Sequence, residues 1–281
     1  MIRIGFIDYY LDEWHANNYP ALIQEITGGE MKVCCAWAYS EPPAEKNRRS
    51  NAQWAADMDI ALLPTVESVI ENSDCLVVLS PDDPQMHEFL CDAPLRSGKH
   101  TYIDKTFAPD KETAQRIFDH ADRYGTKCFS SSALRFCTEW EKIDRASIYK
   151  LYSEGPGKLE IYSIHQLEPI VALMGSRAKR LMALDNACHP SLLIEFEDGR
   201  LAQMHHRSDP GGTFRMTVVN EANKAVHYQI HSDYFRLFVE AMVTFFRTGQ
   251  VPVSHEQTID VIALRTAAVE ACKMPFQWIA L

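Results

Sequence analysis

The stretch from Ser73 to Thr106, SDCLVVLSPDDPQMHEFLCDAPLRSGKHTYIDKT, constrains the fold more than any other part of this chain. Its apolar run Cys75 to Leu79 has the length and β-branched content of a strand buried on both faces, and it ends at Ser80-Pro81, where an extended chain turns. A helix from Pro84 to about Ser97 is expected next. Proline opens its first turn, Phe89, Leu90, Ala93 and Leu95 form its apolar stripe, and Gly98 closes it with the positive φ that glycine tolerates. A second strand runs from Thr101 to Asp104. Strand, helix and strand in this short span make a right-handed crossover of a parallel sheet, and ligands of such sheets sit beyond the carboxyl ends of the strands. Ser80, Pro81, Asp82, Asp104 and Lys105 are therefore expected to face one crevice.

The same cadence precedes and follows this unit. Ile2 to Asp8 reads as a strand, Pro20 to Ile26 as part of a helix, Met31 to Tyr39 as a second strand, and Glu45 to about Ala56 as a polar surface helix. Ile60 to Leu63 is a short strand and Thr65 starts another helix. Asp110 to Tyr124 is an amphipathic helix with Ala114, Ile117, Phe118 and Ala121 on one face, and Cys128 to Ser131 is a sixth strand. Strands alternating with helices predict a Rossmann-type doubly wound parallel sheet over residues 1–132.

Beyond it the character changes. Thr138 to Tyr152 and Ile161 to Met174 read as helices, followed by strands at Leu181 to Ala187, Leu192 to Phe196, Leu201 to His206, Phe214 to Asn220 and Ala225 to Ile230. Glu197-Asp198-Gly199 and Asn220 to Asn223 read as hairpin turns. Ser232 caps a helix with Phe235, Phe238, Val239, Met242, Phe245 and Phe246 at helical spacing, and Ser254 with Gln257 forms a capping box for the last helix. Residues 133–281 are thus expected to form an α+β domain on a mostly antiparallel sheet.

The net charge of −10 from 28 basic and 38 acidic residues argues against a nucleic-acid partner, which needs dense basic patches. No stretch has the length of apolar sequence that a membrane helix requires, and the N-terminus enters a strand directly; a cytoplasmic location is expected. The eight cysteines are scattered without a Cys-x-x-Cys pair and read as reduced, buried small hydrophobes. No metal is expected: His205 and His206 point to opposite faces of a strand, and His189, His227 and His231 lack ligand spacing.

Ser80-Pro81-Asp82 with His87, then Ser97-Gly98-Lys99-His100, then Asp104-Lys105-Thr106, resemble the Thr-Pro-Asn-x-x-His, Ala-Gly-Lys-His and Glu-Lys-Pro segments of the glucose-fructose oxidoreductase, inositol dehydrogenase and MocA (Gfo/Idh/MocA) family. Gly155, Gly157, Leu159, His165 and Gly175 match a second family signature, in which Ile161 replaces an aspartate and Glu168 stands for a later one. About twenty residues separate Arg135 from Gly155, where members of that family carry an additional strand and loop. The resemblance implies an NAD- or NADP-dependent oxidoreductase acting on a hydroxyl of a sugar, cyclitol or polyol, and a homo-oligomer. It implies Lys105 and His165 at the reaction centre, Glu168 beside the substrate, and Asp8, Tyr10, Ser80, Pro81, His87, Asp104 and Arg135 around the cofactor. A histidine and a lysine in one crevice suit the reaction, which takes a proton from oxygen as hydride leaves carbon.

One region departs from this pattern. The glycines that would let backbone N–H groups meet a pyrophosphate are Asp8, Tyr10 and Glu13. Asp8, Asp12 and Glu13 are expected to place carboxylates near an anionic ligand, and one like-charge pair at about 5 Å costs about 3 kcal/mol at an effective dielectric of about 20. Arg48 and Arg49 read as a solvated charge pair, with contact to a 2′-phosphate as the other reading. A non-catalytic ligand-binding or regulatory relative that has lost normal dinucleotide binding is the alternative these substitutions leave open.

Overall fold

In the computed structural model, which describes residues 1–81, 83–185, 190–207 and 212–281, β1 (Ile2–Asp8) is fully buried at Ile4, Phe6 and Ile7 and takes the centre of a six-stranded sheet. Asp82, His189, Cys188 and the end of the strand expected up to Ala187 lie outside the described residues. The chain divides into two compact units. Met1–Ser130 with Val239–His255 forms the first, and Ser131–Phe238 with Glu256–Leu281 forms the second.

In the first unit β1 is followed by α1 (Trp14–Thr27), β2 (Met31–Ala38), α2 (Asn51–Met58), β3 (Ala61–Leu62), α3 (Val66–Asn72) and β4 (Cys75–Val78). Then come α4 (His87–Leu90), α5 (Asp92–Arg96), β5 (Thr101–Ile103), α6 (Lys111–Tyr124) and β6 (Cys128–Phe129). The strand order is β3-β2-β1-β4-β5-β6 and every pairing is parallel. The order reverses between β1 and β4, the place where an open α/β sheet leaves a crevice for ligands. Gly5 lets α3 press against β1 here, since a Cβ on it would lie 2.5 Å from Val69 Cγ1 and 2.9 Å from Ser73 Oγ.

The expected helix from Pro84 to Ser97 is broken. A 3₁₀ turn at Pro84–Met86 leads into α4 and α5, which meet at Cys91. Pro94 has no N–H to offer Leu90, so the ladder cannot run through. Phe89, expected on the buried stripe, is 58% exposed and meets the ring of Tyr39 edge-on.

The second unit holds β7 (Ile148–Pro156), α7 (Leu159–Met174), β8 (Ala178–Ala183), β9 (Ser191–Phe196), β10 (Leu201–Arg207), β11 (Arg215–Asn220) and β12 (Ala225–Gln229). After α8 (Tyr234–Thr248), whose second half belongs to the first unit, come α9 (His255–Lys273) and β13 (Ile279–Ala280). The sheet order is β12-β11-β7-β10-β9-β8-β13, antiparallel except for β7 against β10. The helix expected from Thr138 to Tyr152 is therefore corrected: two 3₁₀ turns are followed by the strand β7. Ile148, Leu151, Ser153 and Gly155 are buried, a pattern of mainly two-residue alternation that suits a half-covered strand.

Glycine fixes how α7 meets this sheet. A Cβ on Gly155 would lie 2.6 Å from the ring of Phe214 and 2.9 Å from Gln166 Cδ. Gln166, buried on α7, accepts from Ser153 Oγ at 2.8 Å and donates to the carbonyl of His205 at 3.4 Å, stitching the helix to β7 and β10. The two side chains of the His205-His206 pair do face opposite ways, one exposed and one fully buried.

Candidate active-site residues in the two units

In the first unit the carboxyl ends of β1, β4 and β5 gather Asp8, Ser80, Asp104 and Lys105. A cavity of about 330 Å³ opens there, lined among others by Asp8, Tyr10, Glu13, Lys46, Ser80 and Pro81. Four of the residues expected around a cofactor, Asp8, Tyr10, Ser80 and Pro81, are thus brought to one place. Lys46 Nζ donates to Tyr10 Oη at 2.8 Å.

Behind the cavity lies a buried charge cluster. Asp104 has no exposed surface; its Oδ1 accepts from Tyr102 Oη at 3.0 Å, and its Oδ2 lies 3.8 Å from Lys105 Nζ and 4.0 Å from His15 Nδ1. Burial works to raise the Asp104 carboxyl, but the charges of His15 and Lys105 outweigh it and hold it below the usual range. His15 in turn is raised: burial opposes its charge, and Asp104 and Glu13 overcome burial. Lys105 has 16% of its side chain exposed and His15 has 13%, whereas Asp104 has none.

The three carboxylates expected to repel an anion have three different fates. Burial, reinforced by Glu13 and Asp104, pushes the Asp8 carboxyl well above the ordinary range and favours its neutral form. Its Oδ1 accepts from the Tyr9 amide at 2.6 Å, while its buried Oδ2 has no hydrogen-bond partner among the described residues. Asp12 turns to Arg49, at 2.7 Å from Nη2 and 2.8 Å from the backbone N–H. Glu13 caps α1: its carboxylate accepts from the amides of His15, at 2.8 Å, and Ala16. The expectation of three repelling charges is corrected to one. Arg49 also meets Asp57 at 3.1 Å, which accounts for it without a phosphate.

Asp8→Asn is expected to stabilise the protein at pH 7, because an amide carries no ionisable proton and escapes the burial that opposes the charged form of the Asp8 carboxyl. The folded state binds this proton more tightly than the unfolded chain, so the gain shrinks as acid supplies it. Urea midpoints of both proteins at pH 7 and pH 4 test this.

His87 is not on the cavity wall. It is fully buried, with Nδ1 3.0 Å from the carbonyl of Thr106 and 3.1 Å from that of Phe107, so that ring nitrogen donates and braces the loop after Lys105. Nε2 has no partner. Burial lowers its pKa to about 4, although the charge of Asp104 pulls the other way. Between pH 6.5, the ordinary value, and 4 the unfolded chain takes a proton that the folded one refuses. Stability falls with pH across that window, by about 3 kcal/mol in all. His87→Gln, which keeps a donor, is expected to remove this part of the acid sensitivity, read as a smaller loss of urea midpoint between pH 7 and 4.

In the second unit His165, half-buried on α7, has Nδ1 2.7 Å from Ser132 Oγ and lies between the rings of Tyr162 and Phe214. Arg135 and Glu168, expected near cofactor and substrate, turn instead to each other. Arg135 Nη1 is 2.7 Å from Glu168 Oε2, and Arg135 Nη2 donates to Gln257. Ser131 Oγ and the Ser132 amide donate to the same carboxylate at 3.1 and 3.2 Å. Glu168 therefore ties the 131–135 segment to α7 and so sets Ser132 against His165.

Ser132, and the capping role of Glu13, were not foreseen from the sequence. Ser132 ends a run of three serines that carried no motif, and glutamate is not among the preferred N-cap residues. Among the described residues no group of three His, Cys, Asp or Glu side chains could hold a metal ion, and no helix is long and apolar enough to cross a membrane.

No family model matches the sequence, and no curated protein matches it. Solved structures do. GenD2 from gentamicin A biosynthesis, in complex with NAD, superposes with a TM-score of 0.76 at 11% identity, over 100% of this chain and 96% of the other. Scyllo-inositol dehydrogenase from Lactobacillus casei gives 0.78 at 14% identity, over 99% and 98%. UDP-N-acetylglucosamine 3-dehydrogenase GnnA from Acidithiobacillus ferrooxidans gives 0.76 at 14%, over 97% and 99%. The chain has the Gfo/Idh/MocA fold. In this fold the parallel sheet of the first unit carries Lys105 and the mixed sheet of the second carries α7 with His165.

Proposed function

We propose that this chain is an NAD- or NADP-dependent oxidoreductase acting on a hydroxyl of a sugar, cyclitol or related polyol. The observation that carries the reading is the cavity at the strand-order reversal, with Lys105 charged against buried Asp104 at the neighbouring strand end. Fully aligned neighbours are dehydrogenases, which favours this over a non-catalytic relative.

A dinucleotide suits the cavity in place and in chemistry. The orphaned Asp8 Oδ2, in a carboxyl held toward its neutral form, can donate to a phosphate or ribose oxygen, and Tyr10, Ser80 and Lys46 offer further donors. The bound nicotinamide would supply the hydride acceptor. Lys105 is assigned to hold and polarise the reacting hydroxyl, with its Nζ 3.8 Å from Asp104 Oδ2. His165 is assigned the proton: with Nδ1 engaged by Ser132, Nε2 is the nitrogen that exchanges it. The exposed Tyr149 and Tyr152 of β7 suit a homo-oligomeric contact, and free thiols at all seven described cysteines suit a reducing cytoplasm.

Reduction of NAD or NADP in the presence of inositols, free sugars and nucleotide sugars is the direct test. Turnover with one class identifies the substrate. No turnover, together with no binding of either dinucleotide to the chain or to any of its variants at millimolar concentration, removes the reading.

A further inference from the structure

The amino end of α1 is the natural seat for a phosphate in this sheet, because free N–H groups and the positive end of the helix dipole coincide there. Here that seat is taken. Glu13, 3% exposed, accepts from the amides of His15 and Ala16, and its Oε2 is also held by the His15 ring at 2.9 Å. A second observation shows that the space in front of it is built for a ligand. Asp8, with no exposed surface and an unpartnered Oδ2, lines the same cavity as Glu13.

Resting on the dinucleotide-dependent reading above, we propose that Glu13 is a built-in competitor for the cofactor's pyrophosphate, so that the cofactor binds only by displacing the Glu13 carboxylate from the α1 amides. The competition is between two anions for the same two donors. Asp12 takes no part, since Arg49 neutralises it. Lys46 lines the same cavity, with its Nζ donating to Tyr10 Oη at 2.8 Å. The device weakens the apparent affinity by a constant factor, the fraction of molecules in which Glu13 has left the α1 amides.

Titration of wild type, Glu13→Gln and Glu13→Gly with NADH and NADPH, followed by fluorescence and with folding checked by circular dichroism, tests this without any substrate. Glu13→Gly is expected to bind at least about tenfold more tightly than wild type, since a charged pair of hydrogen bonds no longer has to be broken. Glu13→Gln keeps an acceptor without the charge and is expected to fall between. Adenosine, which has no phosphate, is expected to bind all three alike. Equal NADH affinity in all three proteins overturns the competition and leaves the dinucleotide reading standing. Tighter binding of adenosine as well assigns the gain to a general opening of the cavity and also overturns it. No binding by any of the three removes both. Should the glycine variant fail to fold, the comparison of wild type with Glu13→Gln decides.

Discussion

Arg135→Met is expected to lower stability by about 3–5 kcal/mol, the range for removing one partner of a buried ion pair. The pair is well inside the second unit, with 8% of the Arg135 side chain and 2% of the Glu168 side chain exposed. Burial raises the Glu168 carboxyl; the charge and hydrogen bonds of Arg135, the Ser132 amide and Ser131 Oγ pull it back. Without the guanidinium a carboxylate would be left in the interior with two neutral donors, and the protein would protonate it or unfold. The double variant Arg135→Met, Glu168→Leu removes both charges and is expected to recover most of the loss, because replacing a buried pair by apolar side chains is often neutral. Urea midpoints at pH 7 for the two singles and the double complete the cycle. A single variant that unfolds at the wild-type midpoint would show that the pair contributes nothing.

This pair also marks the limit of what residue types disclose. The sequence assigned Arg135 to a cofactor and Glu168 to a substrate, on the segment and the helix that also carry Ser132 and His165. It could not reveal that they point at each other, since direction depends on how the 131–135 turn lies on α7. Elements followed the same division. The run Cys75 to Leu79 was legible because a strand buried on both faces is apolar throughout, and the parallel order of the first sheet followed from strand–helix alternation. The strand β7 was not, because its exposed positions carry Tyr149 and Tyr152 and its buried ones include Ser153 and Gly155, which hides the two-residue period. Pro94 was visible, yet its consequence for the helix was outweighed by the apolar stripe around it.

The departures around Asp8, Tyr10 and Glu13 were legible as a loss of glycines, and the electrostatic conclusion drawn from them was too simple. Counting formal charges assumes that each carboxylate is ionised and facing the ligand. Burial favours the neutral form of Asp8, Arg49 engages Asp12, and Glu13 turns to the amides at the helix end.

His165→Ala is expected to lower kcat by about 10²–10⁴, the usual contribution of a positioned general acid or base, with the fold intact because the ring is only half-buried. Lys105→Ala is expected to lower kcat/KM to a similar degree, and it also removes one of the two cations that hold Asp104 ionised. Its loss should therefore destabilise the folded state most near neutral pH, where Asp104 must stay charged, and least in acid. Ser132→Ala separates positioning from chemistry. Ser132 touches the imidazole, so its loss should move the pH dependence of kcat while leaving dinucleotide affinity unchanged. A merely structural serine would change stability and leave the pH profile where it was. Wild-type rates in both His165→Ala and Lys105→Ala would sink the assignment of the reaction centre, and the donor of the proton would then have to be sought elsewhere on the two sheets.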